Sequence, residues 1–116
     1  MTAFCAAPFI DEAITSILNQ TYTNFELLIV DDGSTDETWK HIKLLSKGDK
    51  RIKAFRLTKN LGPSGASNFA IAKAHGTYIA RMDADDIATA DRIEKQVAYL
   101  KTHPKVILIG GQCDLI

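Results

Sequence analysis

Two short acidic segments contain the residues of this sequence that are best suited to chemistry. The first holds Asp31, Asp32, Asp36 and Glu37, and the second holds Asp83, Asp85 and Asp86. Neither segment contains a Lys or an Arg. Carboxylates crowded in this way repel one another, and a bound divalent cation is the usual reason that such crowding is tolerated. Ligands that are all oxygen favour a hard metal, so the pattern points to Mg²⁺ or Mn²⁺.

The first acidic segment also has a purely structural interpretation. Asp is common in turns and at helix N-termini, and Asp31, Asp32 and Asp36 suit such positions. Three carboxylates within residues 83–86 have no comparable capping role. The second segment is therefore the stronger indication of a binding site.

Helices and strands are predicted to alternate along the chain. Apolar residues at helical spacing predict helices at about 9–20, 34–48, 64–75 and 89–103, with Ser34 and Glu37 as a capping box, Gly48 as a C-cap and Thr89 as an N-cap. Apolar runs predict strands at Phe25–Val30, Ile52–Leu57, Thr77–Met82 and Val106–Ile109. Residues Met1–Ala7 have room for little more than the end of a first strand. This order predicts an α/β fold, a Rossmann-like, doubly wound, mostly parallel sheet with helices on both faces.

Both acidic segments directly follow predicted strands. In an open parallel sheet the carboxyl ends of the strands lie at one edge, and ligands bind there, near the point where the strand order reverses. We therefore expect up to seven carboxylates, those of the two acidic segments, to share one rim of the sheet.

Two phosphotransfer classes also place carboxylates at such an edge. A response-regulator receiver would use Asp31 and Asp32 for its metal and Asp83 as phosphoryl acceptor, but the hydroxyl and lysine that it needs after later strands have no match here. A phosphatase with an aspartate nucleophile matches at Asp83 and Asp85, but Ile87 stands where its motif has Thr or Val. The receiver stays open as a remote alternative.

A set of ordered motifs resembles a known family. The motifs are Met1–Cys5, Ser16–Tyr22, Phe25–Leu27, Val30–Asp36, Asn60–Gly62, Ala66–Asn68, Ala74–Ile79 and Met82–Asp86. In this order, and over essentially the whole chain, they resemble the opening of a family 2 glycosyltransferase of the GT-A fold. Cys5 departs from the pattern, since the family usually has Asn at that position.

The resemblance implies that the chain binds the donor in an inverting transfer of a sugar from a nucleotide diphosphate to an acceptor. Thr2, Ala3 and Phe4 would line the nucleoside pocket. Asp32 would accept a hydrogen bond from the base, usually uracil. Lys59, at the end of a predicted strand, would lie beside this donor site and is a further candidate for donor binding.

The same resemblance assigns the metal to the second acidic segment. Asp83 would reach the ribose or the metal, Ala84 would lie against the donor, and Asp85 would hold the Mn²⁺ or Mg²⁺ that bridges the diphosphate. The sequence has no glycine-rich phosphate loop with a lysine, so we expect a metal to neutralise the diphosphate and stabilise the departing nucleoside diphosphate.

The catalytic base of the resembled family is an Asp in its second half, and it has no counterpart before Ile116. We therefore expect residues 1–116 to form a single domain, the donor-binding half, without a catalytic residue and with the acceptor half absent. The acceptor implied by the resemblance is a saccharide or a lipid-linked glycan. The alternative is a non-catalytic, truncated module that binds nucleotide or associates with partners.

The composition of the chain excludes several other classes of protein. The chain has 14 Lys and Arg against 14 Asp and Glu, so no global basic field points to nucleic acid. Two cysteines, Cys5 and Cys113, do not make a disulfide scaffold. No apolar run is long enough to span a bilayer and no signal peptide is evident, so we expect a cytoplasmic protein, either free or peripheral at the membrane. Apolar surface left by a missing half predicts a homo-oligomer.

Overall fold

Three parallel strands with four helices make up the computed structural model, which describes residues 1–111. The elements in chain order are β1 (Thr2–Ala3), α1 (Ile10–Leu18), β2 (Leu27–Asp31), α2 (Thr38–Gly48), β3 (Ile52–Arg56), α3 (Gly62–Lys73) and α4 (Arg92–Thr102). The predicted alternation of strands and helices is confirmed through α3. Cys113, one of the two cysteines of the sequence, lies outside the described residues.

The central strand β2 is buried on both faces, as its continuous apolar run predicts. It pairs with β1 on one side and with β3 on the other, both in parallel. Leu27 and Ile29 belong to the main core, which α1 completes with Ile10 and Ile14. Complete burial of side chains of this size is the main favourable term in the stability of the fold.

Helices cover both faces of the sheet. On the face of Ile29, helices α1 and α2 pack against each other, and Ile42 of α2 is fully buried. On the opposite face, α3 packs on β1 and β2. There Phe69 of α3 meets Phe55 of β3 edge to face, with ring centroids 5.6 Å apart, and Phe55 is the register partner of Val30. The predicted two-sided α/β layering is confirmed.

The strand order reverses at β1. The chain proceeds from β1 to β2 to β3 in one direction, and residues 77–83 then return to the free edge of β1, where Asp83 makes a parallel bridge to Thr2. Such a reversal leaves a crevice at the carboxyl ends of the strands on either side of it. This crevice is where the two acidic segments converge.

Two of the predicted strands are wrong. Residues 77–82 are not a strand, because β1 offers an edge only two residues long, and the segment makes a single bridge there. Residues 106–109 have no strand partner among the described residues, and Ile107 and Leu108 are almost fully exposed. Both segments have β-forming side chains, but a strand also needs a partner for its backbone groups.

The predicted capping residues are also wrong. Helix α2 begins at Thr38, and the Ser34 hydroxyl accepts the Cys5 N–H at 2.9 Å instead of capping the helix with Glu37. Glu37 is the N-cap residue but its side chain makes no capping bond, and Oδ1 of Asp36, the residue before it, accepts the N–H of Thr38 at 3.0 Å. The hydroxyl and N–H of Thr38, which bond this carboxylate, lower the pKa of Asp36.

The other two helix ends differ from prediction in the same way. The N-cap residue of α4 is Asp91 rather than the predicted Thr89. The helix ends before Pro104, as expected. Gly48 is the last residue of α2 and is not left-handed, so it does not act as a glycine C-cap.

Glu26, just before β2, ties three parts of the fold together. Its carboxylate accepts a bond from Lys53 Nζ of β3 at 2.8 Å and another from the N–H of His75, after α3, at 2.6 Å. The Lys53 bond, followed by the His75 bond, lowers the pKa of Glu26 from 4.5 to about 2. Glu26 therefore stabilises the folded state only while it is ionised.

We expect Glu26→Gln to lower the free energy of unfolding at pH 7 by roughly 1 kcal/mol. A folded-state pKa below the unfolded value contributes stability that is complete above the unfolded pKa. The deficit of the variant should therefore shrink as the pH falls below about 4.5 and vanish near pH 2. Urea unfolding measured across this range would show it. Glu12→Gln, on the exposed side of α1, is the control, and a deficit independent of pH would contradict the prediction.

No helix among residues 1–111 is long and apolar enough to cross a bilayer.

Candidate functional site

A cleft of about 340 Å³ opens at the point where the strand order reverses. Its lining residues come from the end of β1 and the turn after it, from the loop after β2, from the start of α3, and from residues 81–85. They are Thr2, Ala3, Phe4, Cys5, Ala6, Phe9, Asp32, Asn60, Pro63, Ala66, Arg81, Asp83, Ala84 and Asp85. Both acidic segments thus contribute to one cleft, as the sequence predicts.

The end of β1 forms the apolar floor of the cleft. Ala3 is buried, Thr2 is half-buried, and Phe4 is exposed with its ring at the cleft. The next residue, Cys5, has φ 49°, a left-handed conformation that Asn adopts more readily than most residues. The family preference for Asn at this position therefore matches the backbone. Here the Ser34 hydroxyl, which accepts the Cys5 N–H, holds the turn.

Asp32 is buried beside the cleft, and its two carboxylate oxygens differ in their hydrogen bonding. Oδ1 accepts the N–H of Leu61 at 2.7 Å, which fixes the loop before α3. The second oxygen has no hydrogen bond within the described residues and is not fully shielded from solvent. A carboxylate oxygen in this state can accept a hydrogen bond from a ligand.

Gly33 allows the loop after β2 to lie against the loop before α3. Its φ is +76°, and a Cβ there would come within 3.2 Å of the backbone N of Asn60. A side chain at this position would be strained in φ and crowded by backbone. The glycine thus keeps Asp32 close to Leu61 and Asn60.

Residues 81–85 supply the opposite wall of the cleft. The bridge to Thr2 places Asp83 beside β1, and Asp83 Oδ1 accepts a bond from Arg81 Nη2 at 3.0 Å. Ala84 is buried and Asp85 is exposed at the cleft. Two carboxylates and one guanidinium therefore face the same space.

The remaining acidic residues lie elsewhere, so the expected rim of seven carboxylates is wrong. Asp31 is fully buried, accepts the Ser34 N–H at 3.2 Å, and lies 3.1 Å from Arg56 Nε without hydrogen-bond alignment. Asp36 accepts the N–H of Thr38 at the start of α2, Glu37 pairs with Lys40, and neither lines the cleft. For these residues the structural interpretation holds.

This placement also disfavours the receiver alternative. Asp31 is committed to Ser34 and Arg56, so it does not join Asp32 as a metal pair.

Asp86 and Lys59, although adjacent to lining residues, are not part of the cleft wall. Lys59 is exposed next to Asn60.

The cleft has hard ligands for a cation but not a complete protein cage. Among residues 1–111 no three His, Cys, Asp or Glu side chains are grouped closely enough to hold a metal ion alone. Mg²⁺ in particular is usually held by one or two carboxylates together with substrate phosphates. Asp83 and Asp85 are two carboxylates of this kind that line the cleft together.

Arg81 is the lining residue that sequence reasoning missed most clearly. Its signal is the spacing, since residues 81 and 83 would project to the same side of the strand that the sequence predicts there. Phe9, Asn60 and Pro63 were also missed as lining residues. Asn60 belongs to one of the ordered motifs, whereas nothing in the local sequence marks Phe9 and Pro63 as lining residues.

The family model for glycosyl transferase family 2 matches residues 1–113. The chain belongs to this family. The resemblance that the ordered motifs indicate is thereby confirmed, and so is the GT-A type of α/β fold, because solved glycosyltransferases superimpose on the structure.

Among curated relatives, an uncharacterised glycosyltransferase of Haemophilus influenzae is 45% identical over 114 residues, covering 98% of this chain and 35% of the relative. The Escherichia coli enzyme named UDP-Glc:alpha-D-GlcNAc-diphosphoundecaprenol beta-1,3-glucosyltransferase WfgD is 40% identical over 100 residues, covering 86% of this chain and 39% of WfgD. This family 2 chain thus spans little more than a third of the length of either relative.

Two solved structures share the fold of this family 2 chain. S. aureus TarS, residues 1–349 in complex with UDP-GlcNAc, superimposes with a TM-score of 0.81 at 27% identity over 89% of this chain and 30% of TarS. The mannosyltransferase PcManGT from Pyrobaculum calidifontis, in complex with GDP-Man and Mn²⁺, gives 0.79 at 26% identity over 85% and 30%.

Proposed function

We propose that this chain binds the nucleotide-sugar donor, a UDP-sugar, in an inverting and metal-dependent glycosyltransferase. The observation that carries the proposal is the cleft at the reversal of strand order, which gathers the end of β1, Asp32 and residues 83–85. Family membership supports it, as do the UDP-GlcNAc complex of TarS and the UDP-Glc in the name of WfgD.

In this proposal the nucleoside lies on the end of β1. Thr2, Ala3 and Phe4 contact the base and ribose, because they form the apolar floor of the cleft. The second carboxylate oxygen of Asp32 accepts the N3–H of uracil. Lys59 is next to Asn60 but does not line the cleft. Its positive charge attracts the negatively charged donor from outside the cleft wall.

The diphosphate in this proposal faces residues 83–85. Asp83 contacts the ribose or the metal, Ala84 packs against the donor, and Asp85 binds Mn²⁺ or Mg²⁺. When bound, the divalent ion neutralises the diphosphate and stabilises the nucleoside diphosphate as it leaves. The Mn²⁺ complex of PcManGT supports this assignment. The chain's own contribution is two carboxylates held at the cleft by the bridge between Asp83 and Thr2.

We further propose that residues 1–116 are the donor half of the protein. The proposal gives each of the three carboxylates at the cleft, Asp32, Asp83 and Asp85, a role in binding the donor or the metal. The base that deprotonates the acceptor therefore belongs to the acceptor half. The acceptor is a saccharide or a lipid-linked glycan, the latter supported by the diphosphoundecaprenol substrate named for WfgD. With a lipid-linked acceptor of this kind, we propose a cytoplasmic protein that acts at the periphery of the membrane.

We also propose that this chain, isolated, self-associates through apolar surface. Ile71 of α3 and the following residues Tyr78 and Ile79 are exposed, as is Phe9 at the cleft. Exposed apolar side chains in such number favour association of copies. Sedimentation velocity should show a dimer or larger species, and a strictly monomeric profile at high concentration would contradict this.

Calorimetric titration with UDP tests the proposed function directly. We expect the wild-type chain to bind UDP in the presence of Mn²⁺ and to bind it much more weakly in EDTA. CDP is the matched ligand, since it has the same diphosphate but lacks the uracil N3–H that Asp32 would recognise. Absence of UDP binding under both conditions would contradict the donor site and favour a non-catalytic association module.

A further inference from the structure

Arg81 is the one cationic side chain among the described residues that line the cleft. The other charged lining residues are Asp32, Asp83 and Asp85. An anionic diphosphate entering this cleft would meet three carboxylates, and Lys59 lies outside the wall. Arg81 is therefore positioned to change the electrostatics of donor entry, a role that neither the family match nor the compared structures assign to it.

The position of Arg81 is set from two sides. Its side chain donates from Nη2 to Asp83 Oδ1 at 3.0 Å, and its backbone carbonyl accepts a bond from Arg92 Nη2 of α4 at 2.9 Å. The carbonyl contact fixes the backbone of Arg81 while leaving its guanidinium at the cleft. The side chains of Arg81 and Asp83 are 65% and 46% exposed.

An ion pair this exposed contributes little to stability, so its partners can exchange readily. The guanidinium has a planar fork of donors that matches phosphate oxygens in pairs, whereas Asp83 takes up one donor atom here. A diphosphate at residues 83–85 would therefore offer Arg81 a stronger partner than the carboxylate it holds in the free protein.

We propose that Arg81 determines recognition of the diphosphate: it neutralises Asp83 in the free protein and moves to a phosphate oxygen when the donor binds. The inference rests on the proposed function and names a residue that binds the diphosphate. Release of Asp83 at the same moment leaves that carboxylate free for the ribose or the metal.

Binding of uridine, UMP and UDP to Arg81→Gln tests the proposal, with uridine measured by competition against UDP. We expect UDP affinity to fall by about 10–100-fold and uridine affinity to stay unchanged, because charge-assisted hydrogen bonds to phosphate are lost. Arg81→Lys should recover part of the loss, since it keeps the charge but not the fork. Lys43→Gln, an exposed change of equal charge on α2, should have no effect.

A second comparison separates direct contact from mere shielding of Asp83. In an Asp83→Asn background, Arg81→Gln should still weaken UDP binding if Arg81 touches the diphosphate. A loss that disappears in this background, or that is equal for uridine and UDP, would overturn the proposal. If the wild type binds no UDP at all, the proposed function fails first and the role of Arg81 fails with it.

Discussion

Asp85→Ala is expected to abolish the metal dependence of UDP binding. The variant should bind UDP in Mn²⁺ no better than the wild type does in EDTA, a fall on the order of 100-fold or more, since loss of even an indirect metal partner costs 10–100-fold. The reason is that Asp83 and Asp85 are the two carboxylates available to a cation at this part of the cleft, so the variant loses one of two protein ligands. Calorimetry measures the UDP affinity of both proteins in Mn²⁺ and in EDTA.

Asp86→Ala is the matched control for this experiment. Asp86 is the adjacent carboxylate, is also exposed, and lies outside the cleft wall, so its removal changes the charge by the same amount without removing a ligand. We expect its UDP affinity to match the wild type. Equal losses in the two variants would mean that only net charge matters, and the assignment of Asp85 to the metal would then be wrong.

Substitutions of Asp32 should separate its contribution to folding from its contribution to UDP binding. In Asp32→Asn the side-chain oxygen can still accept the Leu61 N–H, while the second oxygen becomes an NH₂ that cannot accept the uracil N3–H. We expect nearly unchanged thermal stability and a fall in UDP affinity of about 10–100-fold. The preference for UDP over CDP should fall with it, measured by parallel titrations.

Asp32→Ala removes both functions of the carboxylate and completes the comparison. It leaves the partly buried N–H of Leu61 without its partner, so we expect the binding loss of the Asn variant together with a loss of about 1 kcal/mol in unfolding free energy. If the Asn variant kept full UDP affinity, the second oxygen of Asp32 would have no part in base recognition.

Much of the fold was predictable because its signals are local. The apolar run of β2 indicates a strand buried on both faces, and α1 and α2 have apolar residues at helical spacing that reach Ile14 and Ile42 in the core. Strands at 77–82 and 106–109 were predicted from the same kind of signal and do not form. Strand formation also depends on a neighbouring edge, which is a property of the whole sheet.

The candidate site divides in the same way. Sequence alone determined the family, the α/β alternation and the two acidic segments, because residue types and their order along the chain carry that information. Tertiary structure decided which carboxylates share the cleft: Asp32, Asp83 and Asp85 line it, while Asp31 is buried against Arg56 and Asp36 accepts the N–H of Thr38. It also brought Arg81 to the site. The physical reason is the return of residues 77–83 to the free edge of β1, a long-range contact that no local pattern specifies.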